Sequence, residues 1–295
     1  MKIGYPCINT RLYTPNRTLR LSSYSERYVT EIIQSNLSAI KLILEFNIKH
    51  NLLFFRIGSS VIPFGSHKIT RELNWVDLFK DSLKELSDII KQNKIRISMH
   101  PDQFVVLNSP DKEIVETSIR EAEYHVRFLD SLELDSTAKV QLHVGGRYDD
   151  KELAIQRFIS VYSNLNQNIK NRLVIENDDR VYSIKDCYKI SEEINIPIVF
   201  DTLHYQCLND GESILKAIDM AFSTWKSKDG LPMVDYSNQD PKGKKGKHAS
   251  TINTEDFKKF IEETKEKNFD IMIEIKDKQE SAFKALSIAT SIRGF

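Results

Sequence analysis

Leu173-Val174-Ile175-Glu176-Asn177-Asp178-Asp179 places three apolar residues directly before a carboxylate and a polar loop. A strand with one wet face alternates apolar and polar residues. This run does not, so it reads as a parallel strand buried on both faces. Strands are also read at residues 2–5, 53–57, 96–99, 139–144, 198–201, 233–236 and 270–275, most of them nearly all apolar. Longer stretches lie between these runs. Residues 25–50 carry Ile32, Ile33, Leu37, Ile40 and Leu44 at helical spacing, and 74–91 open at Asn74 and carry Trp75, Leu78, Phe79, Leu83, Leu86 and Ile90. Residues 111–132, 149–168, 183–194, 210–225, 254–267 and 279–292 follow the same logic, with Thr254 placed to cap before Phe257 and Phe260. Eight strands, each followed by a helix, predict an α/β chain closed into one (β/α)₈ TIM barrel spanning residues 1–295 as a single domain. A doubly wound open sheet is the alternative, but no GxGxxG follows the first strand. The Gly/Lys stretch at 243–247 is no P-loop either, because His248 stands where Ser or Thr should follow.

With 295 residues, 40% of them hydrophobic, the chain is able to bury a sizeable core. Lys+Arg and Asp+Glu both number 42, which excludes a strongly basic, histone-like binder but not an enzyme with a local basic patch. No apolar run reaches membrane-spanning length. MKIGYPCINTRLY has no continuous apolar stretch before Arg11, so no signal peptide is expected. Cys7, Cys187 and Cys207 form no CxxC pair and read as reduced cytosolic thiols.

In a barrel of this kind, chemistry gathers at the carboxyl ends of the strands. Those ends carry His100, His143, Glu176, Asp201 with His204 three residues on, Asp235 with His248 in the following loop, and Glu274. Of the remaining histidines, His50 and His125 fall in helices and read as structural. His67, in Pro63-Phe64-Gly65-Ser66-His67, is positioned to reach the same mouth. Glu176, Asp201 and Glu274 each end an apolar strand, and a buried carboxylate needs a partner. Four carboxylates at one mouth repel, and divalent cations remove that repulsion. Mixed nitrogen and oxygen donors suit Mn²⁺, Zn²⁺, Fe²⁺ or Co²⁺. Eight ligands exceed what one ion takes, so two or three ions fit better, as in clusters that clamp both oxygens in phosphoester hydrolysis. A neutral histidine–carboxylate hydrogen-bond network is the other reading of the same residue types.

The loops add substrate marks. Tyr5 and Asn9 follow strand one, and Gln103-Phe104 follow His100-Pro101-Asp102. Aromatic and amide side chains there are able to stack on bases or fill the gap left by a displaced nucleotide, and loop packing is their plainer role. Lys242, Lys244, Lys245 and Lys247 lie beside His248, and Arg147 follows Gly145-Gly146, where they are placed to meet phosphates.

Taken in order, these motifs resemble the UV damage endonuclease family over nearly the whole chain. The resemblance rests on Gly4-Tyr5 with Asn9, Arg56 to Ser60, Ser98-Met99-His100-Pro101 with Gln103-Phe104, and His143-Val144-Gly145-Gly146. It continues through Glu176-Asn177-Asp178-Asp179, Asp201 with His204, His248, and Met272-Ile273-Glu274 with Lys276. It implies incision of damaged double-stranded DNA immediately 5′ of pyrimidine dimers, 6-4 photoproducts and often abasic sites, leaving a 3′-hydroxyl and a 5′-phosphate. It also implies a cluster commonly of manganese, with Mg²⁺, Zn²⁺ or Co²⁺ as substitutes, held by His100, His143, Glu176, Asp201, His204, His248 and Glu274. His67 matches a histidine near the scissile phosphate. Tyr5 and Gln103 match residues that wedge into the duplex, and Phe104 stands where the family often has Tyr. After strand seven the family often reads Pro-Lys-x-His, and this chain reads Pro232-Met233-Val234-Asp235. Met233 cannot be carbamylated as that Lys is in some members, and Asp235 replaces a histidine ligand with a hard anionic one.

The expected activity is therefore a metal-dependent DNA repair endonuclease, with Glu274 and His67 at the reacting phosphate. A cytoplasmic, prokaryotic monomer with no membrane contact and no obligate protein partner is expected. A metal-dependent sugar isomerase or epimerase on the same barrel is the runner-up. A damaged-DNA binder that does not cut is the third reading, and the retained ligands argue against it.

Overall fold

In the computed structural model, which describes residues 1–294, eight strands form the wall of a closed barrel. They are Ile3–Pro6 (β1), Phe54–Ile57 (β2), Arg96–Met99 (β3), Lys139–His143 (β4), Leu173–Glu176 (β5), Ile198–Asp201 (β6), Met233–Tyr236 (β7) and Asp270–Ile273 (β8). Every neighbour pair is parallel, in the order β1 to β8 and back to β1. All but His143 of the strand residues are buried, which is why most of these segments lack alternation; β3 and β4 alternate, but their polar residues Arg96, Ser98, Lys139 and Gln141 are buried too.

The inward faces follow a two-residue rhythm. Phe54, Val174, Val199, Met233 and Met272, from β2 and β5 to β8, pack together as an apolar floor across the barrel. Two residues further along the same chain segments stand Arg56, Glu176, Asp201, Asp235 and Glu274. Thus each apolar residue of the floor is followed, one pleat nearer the carboxyl end, by a charged one. Below the floor, Arg96 pairs with Asp270 at 2.8 Å and Lys139 with Asp229 at 2.6 Å.

Helices follow each strand, and their caps explain several boundaries. Ser25, Asp111, Asp150, Ser183 and Asn253 each accept a backbone N–H at a helix start. Asn253, not Thr254, therefore begins Thr254–Glu263. The segment expected as one helix over 74–91 is two, Trp75–Leu78 and Lys80–Gln92, split where buried Phe79 leaves helical geometry. The helix expected over 149–168 ends at Asn164, and Asn166 caps a second, Gln167–Arg172. A short helix that the periodicity does not reveal, Thr202–Cys207, follows β6 directly. No helix among the described residues is long and apolar enough to cross a membrane.

Candidate metal centre

Parallel pairing sets His143 beside Glu176 and Asp201 beside Asp235. Glu274 lies one residue beyond β8, where its N–H donates to the Tyr236 carbonyl. Asp201 also caps the short helix after it by accepting the His204 N–H at 2.7 Å. That three-residue spacing turns His204 back over the barrel. His248 returns to the mouth through a bridge with Gln239. The rings of His100, His143, His204 and His248 follow one another around the rim, with centroids 5.2, 5.8 and 6.5 Å apart.

Three of these histidines share one arrangement. Nδ1 of His100 lies 2.7 Å from the Pro101 carbonyl, that of His204 2.9 Å from Asn177, and that of His248 2.7 Å from Glu274. A carbonyl only accepts, so each Nδ1 must carry the hydrogen. In the neutral ring Nε2 is then the free lone pair, the state in which histidine binds a metal. His143 departs from this pattern: its Nε2 faces Glu176 Oε1 at 2.8 Å and its buried Nδ1 has no partner.

The carboxylates divide by what they touch. Glu176 is held by His143 and Gln141, with His100 Nε2 3.6 Å away. Burial opposes its charge, yet His143 and His100 hold it well below the usual carboxylate range. Asp201 is fully buried and its Oδ2 has no hydrogen-bond partner. Burial raises it to about 6, opposed by His204 and aided by Glu176 and Glu274. Burial also works against the His204 cation, but Asp201, Glu176 and Glu274 outweigh it and raise that ring to about 9. Burial and the neighbouring carboxylates oppose the charge of Asp235, and the Arg56 guanidinium against both of its oxygens holds it as an ion pair. The carboxylates of the mouth thus outnumber the positive charge that Arg56 and the protonated histidines set against them.

A divalent cluster fits these residues. Donor atoms of His100, His143 and Glu176 lie within 4.8 Å of one another, as do those of Asp201, Asp235 and Glu274. The unpartnered Asp201 oxygen fits such a cluster, since a buried unpaired carboxylate is costly and a cation would satisfy it.

The other expected site residues are more scattered. Gln103 and Lys247 line the open cavity of about 900 Å³ above the histidines. Phe104 is 60% exposed on the same loop as Gln103. Arg147, Lys244 and Lys245 are exposed. The lysine loop is ordered by its own hydrogen bonds, including Asp240 N–H to the Lys247 carbonyl and Gly246 N–H to Gln239, and Lys247 pairs with Asp240. Tyr5 is not a surface wedge. It points away from the barrel axis, fully buried, with its hydroxyl donating to Asn47 and accepting from Asn9, itself 2% exposed. Strand alternation explains this, because Ile3 and Tyr5 share the helix-facing side of β1. His67 is exposed and caps the short helix Lys68–Arg71 through Nδ1, outside the residues that line the mouth.

Several residues to which the sequence reading gave no role at the site stand in or near it. Arg56 lies under the mouth, bonded to Asp235, Glu274 and Gln141. Asn177 clamps β5 to β6 through both backbone groups of Asp201. Arg180, Lys276 and Lys278 line the cavity beside Lys247. Tyr148, 40% exposed, lines it too, with the Arg157 guanidinium over its ring at 5.3 Å. His125, read as structural, is buried and joins Ser59 to the Glu121 carbonyl.

Comparison with known proteins then decides the family. The model of the UV-endonuclease UvdE family matches residues 1–294. This chain belongs to the UV-endonuclease family. It is 45% identical to the UV DNA damage endonuclease of Clostridium perfringens (strain 13 / Type A), over 97% of this chain and 70% of that protein. It is 32% identical to the enzyme of that name from Bacillus cereus (strain G9842), over 100% of this chain and 96% of that one. The crystal structure of SacUVDE matches with a TM-score of 0.94 and 45% identity, covering 100% of both chains. At 13% identity, endonuclease IV of Thermus thermophilus (TM-score 0.60, 99% and 98% covered) shares the fold alone. So does D-psicose 3-epimerase of Clostridium cellulolyticum, also at 13% identity (TM-score 0.62, 99% of both chains).

Proposed function

We propose that this chain is a metal-dependent DNA repair endonuclease that nicks duplex DNA immediately 5′ of ultraviolet photolesions, abasic sites included. The products are a 3′-hydroxyl and a 5′-phosphate. One observation carries the metal dependence. The Nδ1 atoms of His100, His204 and His248 are all committed to backbone carbonyls, leaving the three Nε2 atoms as the donors available to a metal beside Glu176, the unpartnered Asp201 oxygen and Glu274. Two or three divalent ions, manganese by preference, suit that donor set. Bound there, such ions supply the positive charge that hydrolysis of a phosphodiester requires.

The chain's own residues do the rest. Gln103 and Phe104 stand on an exposed loop at the rim, placed to fill a gap in a distorted duplex. Arg147, Lys244, Lys245, Lys247 and Lys278 are placed to meet the backbone on either side. Glu274 reaches the mouth from β8 with one oxygen held by Arg56. Damage is selected by how readily the duplex kinks and releases the lesion, since a damaged step has already lost stacking. The relatives' names, UV DNA damage endonuclease, support this choice of substrate. A sugar-epimerase reading leaves the exposed Gln103-Phe104 loop and the lysines without a role.

The test is an end-labelled duplex carrying one site-specific pyrimidine dimer, incubated with Mn²⁺, with Mg²⁺ and with chelator. A metal-dependent nick directly 5′ of the dimer, absent from undamaged duplex, is expected. Damage binding with no nick in any metal would sink the endonuclease reading, and neither binding nor nicking would favour the sugar enzyme.

A further inference from the structure

The inward face of β7 carries two residues, Met233 and Asp235, and neither presents a free donor to the mouth. Met233 is packed in the apolar floor with Val199 and Met272. Asp235 is fully buried one pleat above, and its oxygens are already engaged. Oδ1 and Oδ2 lie 2.8 and 2.9 Å from Arg56 Nη2, and Oδ2 also accepts from Gln141 Nε2 at 2.6 Å. Arg56 Nη2 reaches the Gln141 carbonyl oxygen at 2.9 Å, so the three side chains close on one another.

We propose that Asp235 anchors Arg56 and does not ligate metal, so that β7 supplies no ligand to the cluster. This rests on the metal-dependent reading above and narrows its ligand set to residues of the other strands and loops.

Contrast with two other carboxylates supports it. Asp201 keeps one buried oxygen with no partner at all. Glu274 gives one oxygen to Arg56 and keeps Oε2 clear, with its side chain 19% exposed at the mouth. Asp235 has neither an unpartnered oxygen nor any exposure. A cation placed on it would stand against a fully buried guanidinium, and like charges at that range in a low-dielectric interior repel strongly. Proximity of its oxygens to those of Asp201 and Glu274 is therefore not ligation. Arg56 needs Asp235 for its own sake: without it, a guanidinium 2% exposed keeps only the contact to Glu274 as an ion pair. Through that contact, Asp235 acts as a positioning residue. It fixes Arg56, and Arg56 fixes which Glu274 oxygen remains free.

The experiment uses the full chain and two readouts. Native mass spectrometry after saturation with Mn²⁺ counts ions per chain in the wild type, in Asp235→Asn and in the double variant Arg56→Met/Asp235→Asn. Thermal unfolding in chelator measures the same three proteins without metal. The ion count is expected to be equal in all three. In chelator, Asp235→Asn is expected to melt at least about 6 °C lower, because it strands a buried charge, and the double variant to recover half of that loss or more. One ion fewer in either variant overturns the proposal, and so does a double variant no more stable than Asp235→Asn. Should Asp235→Asn fail to fold, the double variant alone decides through its ion count. A wild type that binds ions yet does not nick DNA would refute the endonuclease reading and leave this assignment standing.

Discussion

At the amino end of the barrel, Arg96 faces Asp270 and Lys139 faces Asp229, one cation to one anion. At the carboxyl end, Arg56 stands alone against Glu176, Asp201, Asp235 and Glu274. Both ends bury charge in the same closed barrel, and on β8 the two sets meet within four positions, Asp270 at its start and Glu274 just past its end. The amino end has paired each of its cations with an anion. The carboxyl end has anions left over, and histidines that collect protons cover only part of the deficit. Where a folded chain keeps uncompensated charge, it keeps a place for something that arrives later.

Breaking the balanced end should have the largest effect on stability. Lys139→Met leaves Asp229 buried beside Lys139's empty place and should cost about 3–5 kcal/mol, while Lys139→Met/Asp229→Leu should restore most of it. Denaturant unfolding of the two variants measures this, and equal losses would mean the pair is not a unit.

At the unbalanced end the sign should reverse. Asp201 has its carboxyl raised to about 6, above its unfolded value of 3.8. Ionising it at neutral pH therefore costs stability, and the cost disappears as pH falls below 3.8. Asp201→Asn keeps the cap on His204 and should stabilise the metal-free chain at pH 7 by about 2–3 kcal/mol, while weakening Mn²⁺ binding. Unfolding in chelator checks the gain, and a loss of stability there would contradict it.

His125 tests the layer just outside the mouth. Burial holds it near about 4, below its ordinary 6.5, so the unfolded chain binds a proton between those values and the folded chain does not. Stability should fall by about 3 kcal/mol as pH drops from 6.5 to 4 on this group's account. His125→Gln should flatten that part of the profile, and an unchanged slope would remove His125 as its source. The smallest effect belongs to the rim. Phe104→Ala should leave stability unchanged and reduce the preference for damaged over intact duplex about tenfold, the loss of one stacking contact. Competition binding with both duplexes reads it, and an unchanged ratio would take Phe104 out of recognition.

The barrel was legible because parallel strands buried on both faces leave mostly apolar runs, and Glu176 and Asp201 close their strands as expected, with Asp235 one residue before the end of its own. Tyr5 was misplaced although the two-residue alternation of β1 held the answer. Other features had no local signal. Asp235 finds Arg56 across 179 positions of chain and Gln141 across 94, and only closure of the barrel brings them together. His204 needed a six-residue helix too short for periodicity to mark. His67 sits after the expected strand, but its loop turns into a short helix that it caps, and this directs the ring to solvent.

The central claim is that the charge deficit at the mouth is a metal site. Counting Mn²⁺ ions on the intact chain by native mass spectrometry, with a parallel sample of Glu176→Gln/Asp201→Asn, tests it most directly. The account predicts two or three ions on the wild type and fewer on the double variant, with both chains folded. A folded wild type that retains no ion, or a double variant with the same count, would contradict it.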